Sequence, residues 1–363
     1  MNRELLEIYS DYLICSFGYA TATGLSKMLD RAISHDKITR FLSSDLLDSR
    51  DLWRLVKPLV RKYQQEEAVI VIDDTIEEKP YTDESSLICW HFDHSKGRSV
   101  KGINIVNVLY ETQGIRIPVS YTVVEKTKWV WDKEKKKEVR KSETSKNGHV
   151  RRMLKTCVQN DISFKHVIAD TWYGASETMK FICKELKRSF VMPLKSDRNI
   201  ALTEEDKQEG KYQEVKLVEL EQNKTYKVYV KQLEFPLLLI KQVFKEGDES
   251  ETEGVLYLVT DDLTLEYAEI TALYQRRWCV EEFHASIKGN TALELSPTQT
   301  IRTQKNHIFG SIYGYVKLEK IKIGTGLNHF ALRSKMYVKA LQAAHRELKY
   351  LENSSKLKDI QIL

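Results

Sequence analysis

Apolar positions along about the first 65 residues recur at helical spacing, and the texture then changes to that of strands. Glu4–Phe17 carries an apolar stripe. Thr23–Leu29 and Ile33–Leu42 read as two short helices joined by a turn, and Asp51–Gln65 turns Trp53, Leu55, Val56, Leu59 and Val60 to its buried side. Ser34 or Asp36 caps the second short helix and leaves His35, Lys37 and Arg40 facing outward. Two such helices are what a helix-turn-helix needs, and equally what a plain helical hairpin looks like. From Glu66 the run Ala68–Ile72 is continuous and β-branched, the mark of a strand covered on both faces, and it stops at Asp73–Asp74–Thr75. After a polar loop, Gly102–Tyr110 and Ile115–Val124 form a second and third strand around the turn Glu111–Gly114. A helix over Ser145–Val158, a strand His166–Ala169 ending at Asp170, a helix Glu177–Leu186 and a strand Phe190–Leu194 follow. The pattern is β again from about Arg198 to Leu258, then one long helix spans Leu265–Lys288, and Arg302–Leu351 is helical and basic.

Three antiparallel strands followed by alternating helices and strands is the element order of the ribonuclease H-like fold, an α/β mixed-sheet core. Here the order predicts such a core with a β-rich insertion, flanked by helical N- and C-terminal regions. The boundaries fall at 1–65 (helical), 66–197 (first part of the core), 198–256 (insertion), 257–292 (core again) and 293–363 (helical).

Composition narrows the classes. Hydrophobic residues make 42% and charged residues 30% of the 363, which excludes a disordered or fibrous chain. No apolar run reaches the roughly 20 residues of a membrane span, and the Met1–Glu4 start has no signal-peptide character. Five widely spaced cysteines without a C-x-x-C argue against a disulfide framework or structural zinc and for a reducing cytoplasm. His91 and His94 lack a second ligand pair and read as loop residues, and His149 and His284 read as structural. The net charge of +5 is small, but it is not evenly spread. Lys126, Lys128, Lys133, Lys135, Lys136, Lys137, Arg140, Lys141, Lys146, Arg151, Arg152 and Lys155 crowd the third-strand exit and the next helix, interleaved with Trp129 and Trp131. A solvated charged loop accounts for such a band, and so does contact with a duplex backbone.

Asp73 and Asp170 end two strands that lie side by side in a sheet of this order, at the edge where open α/β sheets bind ligands. A strand-end aspartate alone is often a turn former. Two close carboxylates, however, call for a cation, and oxygen donors suit Mg²⁺ or Mn²⁺. In the long helix Tyr274, Arg277, Glu281 and Lys288 share an arc of roughly 60°, a polar stripe that is not a core face. A solvated salt-bridge ladder is the plainer account of that stripe. Trp278, off the stripe, reads as core.

The Y-x2-R-x3-E-x6-K spacing of Tyr274, Arg277, Glu281 and Lys288 resembles the signature of IS4-type DDE transposases, the bacterial insertion-sequence enzymes. Asp73–Asp74–Thr75 is similar to the first motif of that family, D-x-T, and Asp170 with Tyr173–Gly174 to its second; Asp73 or Asp74 can be the first ligand, with Asp73 in the D-x-T register. The resemblance implies that Asp73, Asp170 and Glu281 hold two Mg²⁺ (or Mn²⁺) ions roughly 3.5–4 Å apart for phosphoryl transfer. It implies that Tyr274, Arg277 and Lys288 grip DNA near the cut; the clustering of the basic band beside that site puts Lys136, Arg140 and Arg151 on the duplex backbone. The 1–65 region would read the terminal inverted repeats, and the protein would cleave and join double-stranded DNA as a homodimer on paired ends, in the cytoplasm at the nucleoid and not at a membrane. A transposase-derived DNA-binding protein without catalysis, and a nuclease without strand transfer, are the alternatives.

Overall fold

The computed structural model describes residues 2–93, 96–133, 136–245 and 253–360. Four helices open the chain: α1 (Arg3–Cys15), α2 (Ala22–Met28), α3 (His35–Ser43) and α4 (Ser49–Tyr63). Then come β1 (Val69–Glu78), β2 (Cys89–Asp93), β3 (Arg98–Thr112), β4 (Ile115–Val123), β5 (Lys128–Asp132) and β6 (Lys137–Lys141). Next in order are α5 (Lys146–Gln159), β7 (His166–Ala169), α6 (Ser176–Lys180, running on into a π turn), β8 (Ser189–Leu194), β9 (Asn199–Ala201), α7 (Glu204–Gln208) and β10 (Gln213–Glu214). The last elements are β11 (Thr225–Val230), β12 (Leu237–Lys245), β13 (Glu253–Thr260), α8 (Tyr267–Gln275), α9 (Trp278–Asn290), α10 (Ile301–Thr325) and α11 (His329–Ile360). They fall into two units, residues 47–284 and residues 1–46 with 285–363. Among the described residues no helix is long and apolar enough to cross a membrane.

The 47–284 unit is built on one mixed sheet. Its order is β10-β9-β11-β12-β13-β8-β7-β1-β3-β2, with β4 also on β3. β1 is antiparallel to β3 and parallel to β7, and β7 is parallel to β8. Val69–Ile72 are wholly buried, as a strand covered on both faces requires. β1 does not stop at Asp73, as the end of the apolar run implied: pairing with β3 carries it on to Glu78. β3 takes β2 along residues 98–102 and β4 along 105–112. β2 was read as polar loop, and His91 on it is buried, its imidazole pushed by burial to a pKa of about 3 and so neutral; His94 lies outside the described residues. The β-rich stretch from 198 onward extends the same sheet, because β13 pairs antiparallel with β8. α4 and α5 lie against β4, and α8 packs over β8, where Ile270, Leu273 and Tyr274 meet Val191, Ile240 and Leu258.

In the other unit α1 packs along α10. Tyr9 Oη lies 2.8 Å from His307 Nδ1, whose ring reaches the carbonyls of Ala292 and Leu293 through Nε2. Asn306 donates to the carbonyls of Leu42 and Asp45, fixing the end of α3 on α10. Ser34 is the cap of α3, and His35, Lys37 and Arg40 are exposed while Ile38, Phe41 and Leu42 are buried.

The pairing of β1 with β3 sets the position of Asp73, and Gly102 guards it. A Cβ at Gly102 would stand 2.2 Å from the Glu77 carbonyl oxygen, a backbone atom of the paired strand that cannot swing aside. Gly102→Ala should therefore cost about 1–3 kcal/mol, read as a lower urea midpoint; an unchanged midpoint would show that the two strands can part there without loss.

Candidate active site

Successive side chains of a strand point to opposite faces, so Asp73 and Asp74 cannot share a site. Asp74 faces α5. Lys146 Nζ lies 2.7 Å from its Oδ2, and the Asn104 amide and the Tyr173 hydroxyl also donate to it. Burial works against the Asp74 charge, but Lys146, Tyr173 and Asn104 together hold its carboxyl below the usual range. Its charge is neutralised within the protein.

Asp73 faces the other way and is not neutralised so fully. It stands opposite Asn107 on β3, and the parallel register of β1 with β7 (Ile72 beside Ala169) makes Asp170 the next position alongside. α9 brings Glu281 and His284 to the same place: one donor atom each from Asp73, Glu281 and His284 lies within 4.8 Å of the others. Asp170 is outside that set of three, and its carboxylate accepts the backbone N–H groups of Trp172 and Tyr173. Burial first, and the Asp170 charge second, push the Asp73 pKa up to about 8, with Asp74 and Glu281 adding to the rise. Asp170 is raised as well, mainly by burial, against the two backbone donors. Asn107 Nδ2 is 3.2 Å from His284 Nε2 and also donates to the Ile105 carbonyl, which fixes the imidazole against β3.

The helix expected over 265–288 is broken. α8 ends at Gln275 and α9 begins at Trp278, with Arg276 and Arg277 in a turn whose N–H groups reach back three residues rather than four. Arg276 is anchored at the break: its guanidinium pairs with the Glu111 carboxylate and donates to the carbonyls of Glu67 and Glu111, near the start of β1 and the end of β3. The four signature residues are thus not a stripe on one rod. Tyr274 ends α8, its ring packed with the Val191–Ile270 cluster and 5.9 Å from the Arg277 guanidinium; burial raises its pKa to about 12. Arg277 Nη1 lies 3.0 Å from Glu281 Oε1 and 3.6 Å from Asp73 Oδ2, a bridge between two carboxylates. Lys288, on the part of α9 that belongs to the other unit, is 3.2 Å from Glu294.

Two sequence readings change here. Trp278 is 63% exposed and is not core. His284 does not stand alone but lies with Asp73 and Glu281, and its i,i+3 spacing from Glu281 was the available signal. The expected backbone contacts divide. Arg140 stacks on Trp129 at 4.2 Å and lies 3.7 Å from Glu84; Arg151 reaches Thr178 and Glu177 and lines an open groove with Arg152 and Lys155. Lys136 is exposed in the turn between β5 and β6, with φ of 49°, and Lys135 lies outside the described residues.

A search of the curated proteins finds no match. Among solved structures, the Drosophila P element transposase strand transfer complex matches at 11% identity over 51% of this chain, with a TM-score of 0.26. The chain spans 36% of the length of that structure's chain. The family described as DDE superfamily endonuclease matches residues 1–219, a stretch that holds Asp73 and Asp170 and ends before Glu281. That match covers more than half of the 363 residues, and the chain belongs to the DDE superfamily endonuclease family.

Proposed function

We propose that the chain is a DNA transposase of the IS4 type, in which a ribonuclease H-like core cuts DNA at the ends of an insertion sequence and joins the freed ends to target DNA. The observation that carries this reading is the convergence of Asp73, Glu281 and His284 within 4.8 Å, with Asp170 next in register and the Asp73 carboxyl pushed up to about 8. Like charges brought together in this way are unfavourable until a cation arrives.

The donor set fits a divalent ion: carboxylate oxygens for Mg²⁺ or Mn²⁺, with an imidazole nitrogen that Mn²⁺ accepts readily. Asp73, Glu281 and His284 would hold it, with Asp170 serving a second ion. When bound, such ions lower the pKa of the attacking water and stabilise the leaving 3′-oxygen. The chain's own residues supply the rest. Arg277, which bridges Asp73 and Glu281, would donate to a phosphate oxygen brought to the site. Asn107 keeps the His284 ring in one orientation, and Asp74, tied to Lys146, Asn104 and Tyr173, keeps the middle of β1 from turning. Lys136 and Arg151 with its groove neighbours would lie along the duplex backbone, and α2 and α3 would read the inverted repeat. A homodimer on paired ends is the assembly this implies.

Incubation with Mn²⁺ and a duplex carrying the element end tests the proposal. Cleavage followed by strand transfer supports it, cleavage alone points to a nuclease, and binding alone to a catalytically silent descendant. Asp170→Asn and Glu281→Ala should each lower cleavage by more than about 100-fold, beyond the 10–100-fold typical of residues that only orient a ligand, while retaining DNA binding. Equal loss of binding and cutting would remove both residues from the metal site.

Asp73 gives a test independent of cleavage. The unfolded chain releases this proton near 3.8 and the folded protein near 8, so between those values the folded state binds more protons and stability falls as pH rises. In metal-free buffer Asp73→Asn should reduce that decline, leaving what the raised Asp170 contributes, and be more stable than the parent at pH 8.5 by more than about 1 kcal/mol. Mn²⁺ at that pH should raise the melting temperature of the parent protein and not of the variant. A parent protein whose melting temperature ignores Mn²⁺ would exclude the proposed site.

A further inference from the structure

β5 and β6 form a two-stranded ribbon separate from the main sheet. A lone hairpin has little burial to stabilise it, and its aromatic residues would be expected to turn inward. They do the opposite: Trp129 is 53% exposed and Trp131 61%. Because they are two apart, both indoles stand on the same face of the ribbon, about 6.8 Å apart along the strand. Opposite them across the ladder are Arg140 and Glu138. The other face pairs Lys128 with Lys141, Val130 with Val139 and Asp132 with Lys137. Over 128–141 the sequence holds seven basic residues and three acidic ones.

Trp129 is held in place before any partner arrives. The Arg140 guanidinium lies over its ring at 4.2 Å and is itself 3.7 Å from Glu84, just ahead of β2, while Lys126 at the foot of the ribbon donates to the Trp90 carbonyl. The ribbon therefore presents fixed aromatic surface within a field of positive charge. Lysines alone would serve a duplex, whose bases are stacked away inside. Exposed indoles add a surface that only an unstacked base can cover. A second copy of the ribbon is disfavoured by like charge.

We propose that the β5–β6 ribbon binds single-stranded DNA, with Trp131 and the open side of Trp129 each stacking one base, Lys133 and Lys136 at the turn meeting the phosphates, and Lys128, Lys137 and Lys141 on the other face adding to the positive field. This rests on the reading of the protein as one that opens DNA, and it adds the strand form that the basic band recognises. Neither tryptophan belongs to the carboxylate centre.

The test uses the full chain and two probes, an oligothymidylate of about 20 nucleotides and a blunt duplex of the same length, a span that covers one to a few aromatic sites. Trp131→Ala should weaken binding of the single strand about tenfold and of the duplex less than about twofold, with Trp131→Phe retaining most of the affinity because a flat ring remains. Bound single strand should also quench the tryptophan fluorescence of the parent protein, and less of it in Trp131→Phe. Equal weakening for both probes, or no weakening for the single strand, overturns the inference. So does a loss of dimer mass in Trp131→Ala with unchanged oligothymidylate affinity, which would make the ribbon a contact between copies. If the parent protein cleaves its duplex with Mn²⁺ while Trp131→Ala binds oligothymidylate normally, the ribbon inference fails alone; if the parent binds neither probe, the DNA reading fails with it.

Discussion

Two adjacent aspartates in the middle of a buried strand impose the constraint on which the rest of the 47–284 unit depends. The pleat sends them to opposite faces, so each carboxylate needs its own solution to burial. On one face the solution is internal: α5 delivers Lys146, β3 delivers Asn104, and the loop after β7 delivers Tyr173, all to Asp74. On the other face the neighbours of Asp73 include more acid, with Asp170 beside it and Glu281 across from it. Arg277 offsets part of this, and the remainder appears as a carboxyl that ionises near 8. Helices must therefore cover both faces of the sheet, and the register of β1 against β3 and β7 must be held.

Much of this arrangement was legible in the chain because its chemistry is local. An unbroken β-branched run ending in acid marks β1 and β7, and the caps Ser34 and Ser145 mark the starts of α3 and α5. What could not be read is set by partners distant in sequence. β1 runs past Asp73 because β3 pairs with it to Glu78, although Asp73–Glu78 has no apolar pattern of its own. β2 and the ribbon are short and half exposed, so their alternation is lost among charges. The break at Arg276–Arg277 contains neither Gly nor Pro, and the partner that holds Arg276 there, Glu111, lies more than 160 residues earlier. Trp278 was misplaced for the same reason, since an unbroken helix would have turned it inward.

That break also alters the meaning of the signature spacing. On one straight helix the offsets of Tyr274, Arg277, Glu281 and Lys288 would make a stripe, with Arg277 and Glu281 as an exposed pair worth tenths of a kcal/mol. The tightened turn instead sets Arg277 between Glu281 and Asp73, largely out of solvent, where a guanidinium is worth more because water no longer screens it. The same spacing rule, applied three residues onward, brings His284 to the cluster, where Asn107 fixes its ring. A motif read as a surface pattern is thus, in three dimensions, a set of counter-charges around Asp73.

The basic band follows a similar logic of partition. Counted along the chain it looked uniform, but folding sorts its members. Lys146 is consumed by Asp74, Arg140 by Trp129 and Glu84, and Arg151 in part by Thr178 and Glu177. The lysines of the ribbon remain exposed, on the same short hairpin as two open indoles. A net charge of +5 is thus the residue of two different uses of positive charge: half-buried cations paired with acid inside the fold, and exposed ones that give a small, separate ribbon an electrostatic field of its own.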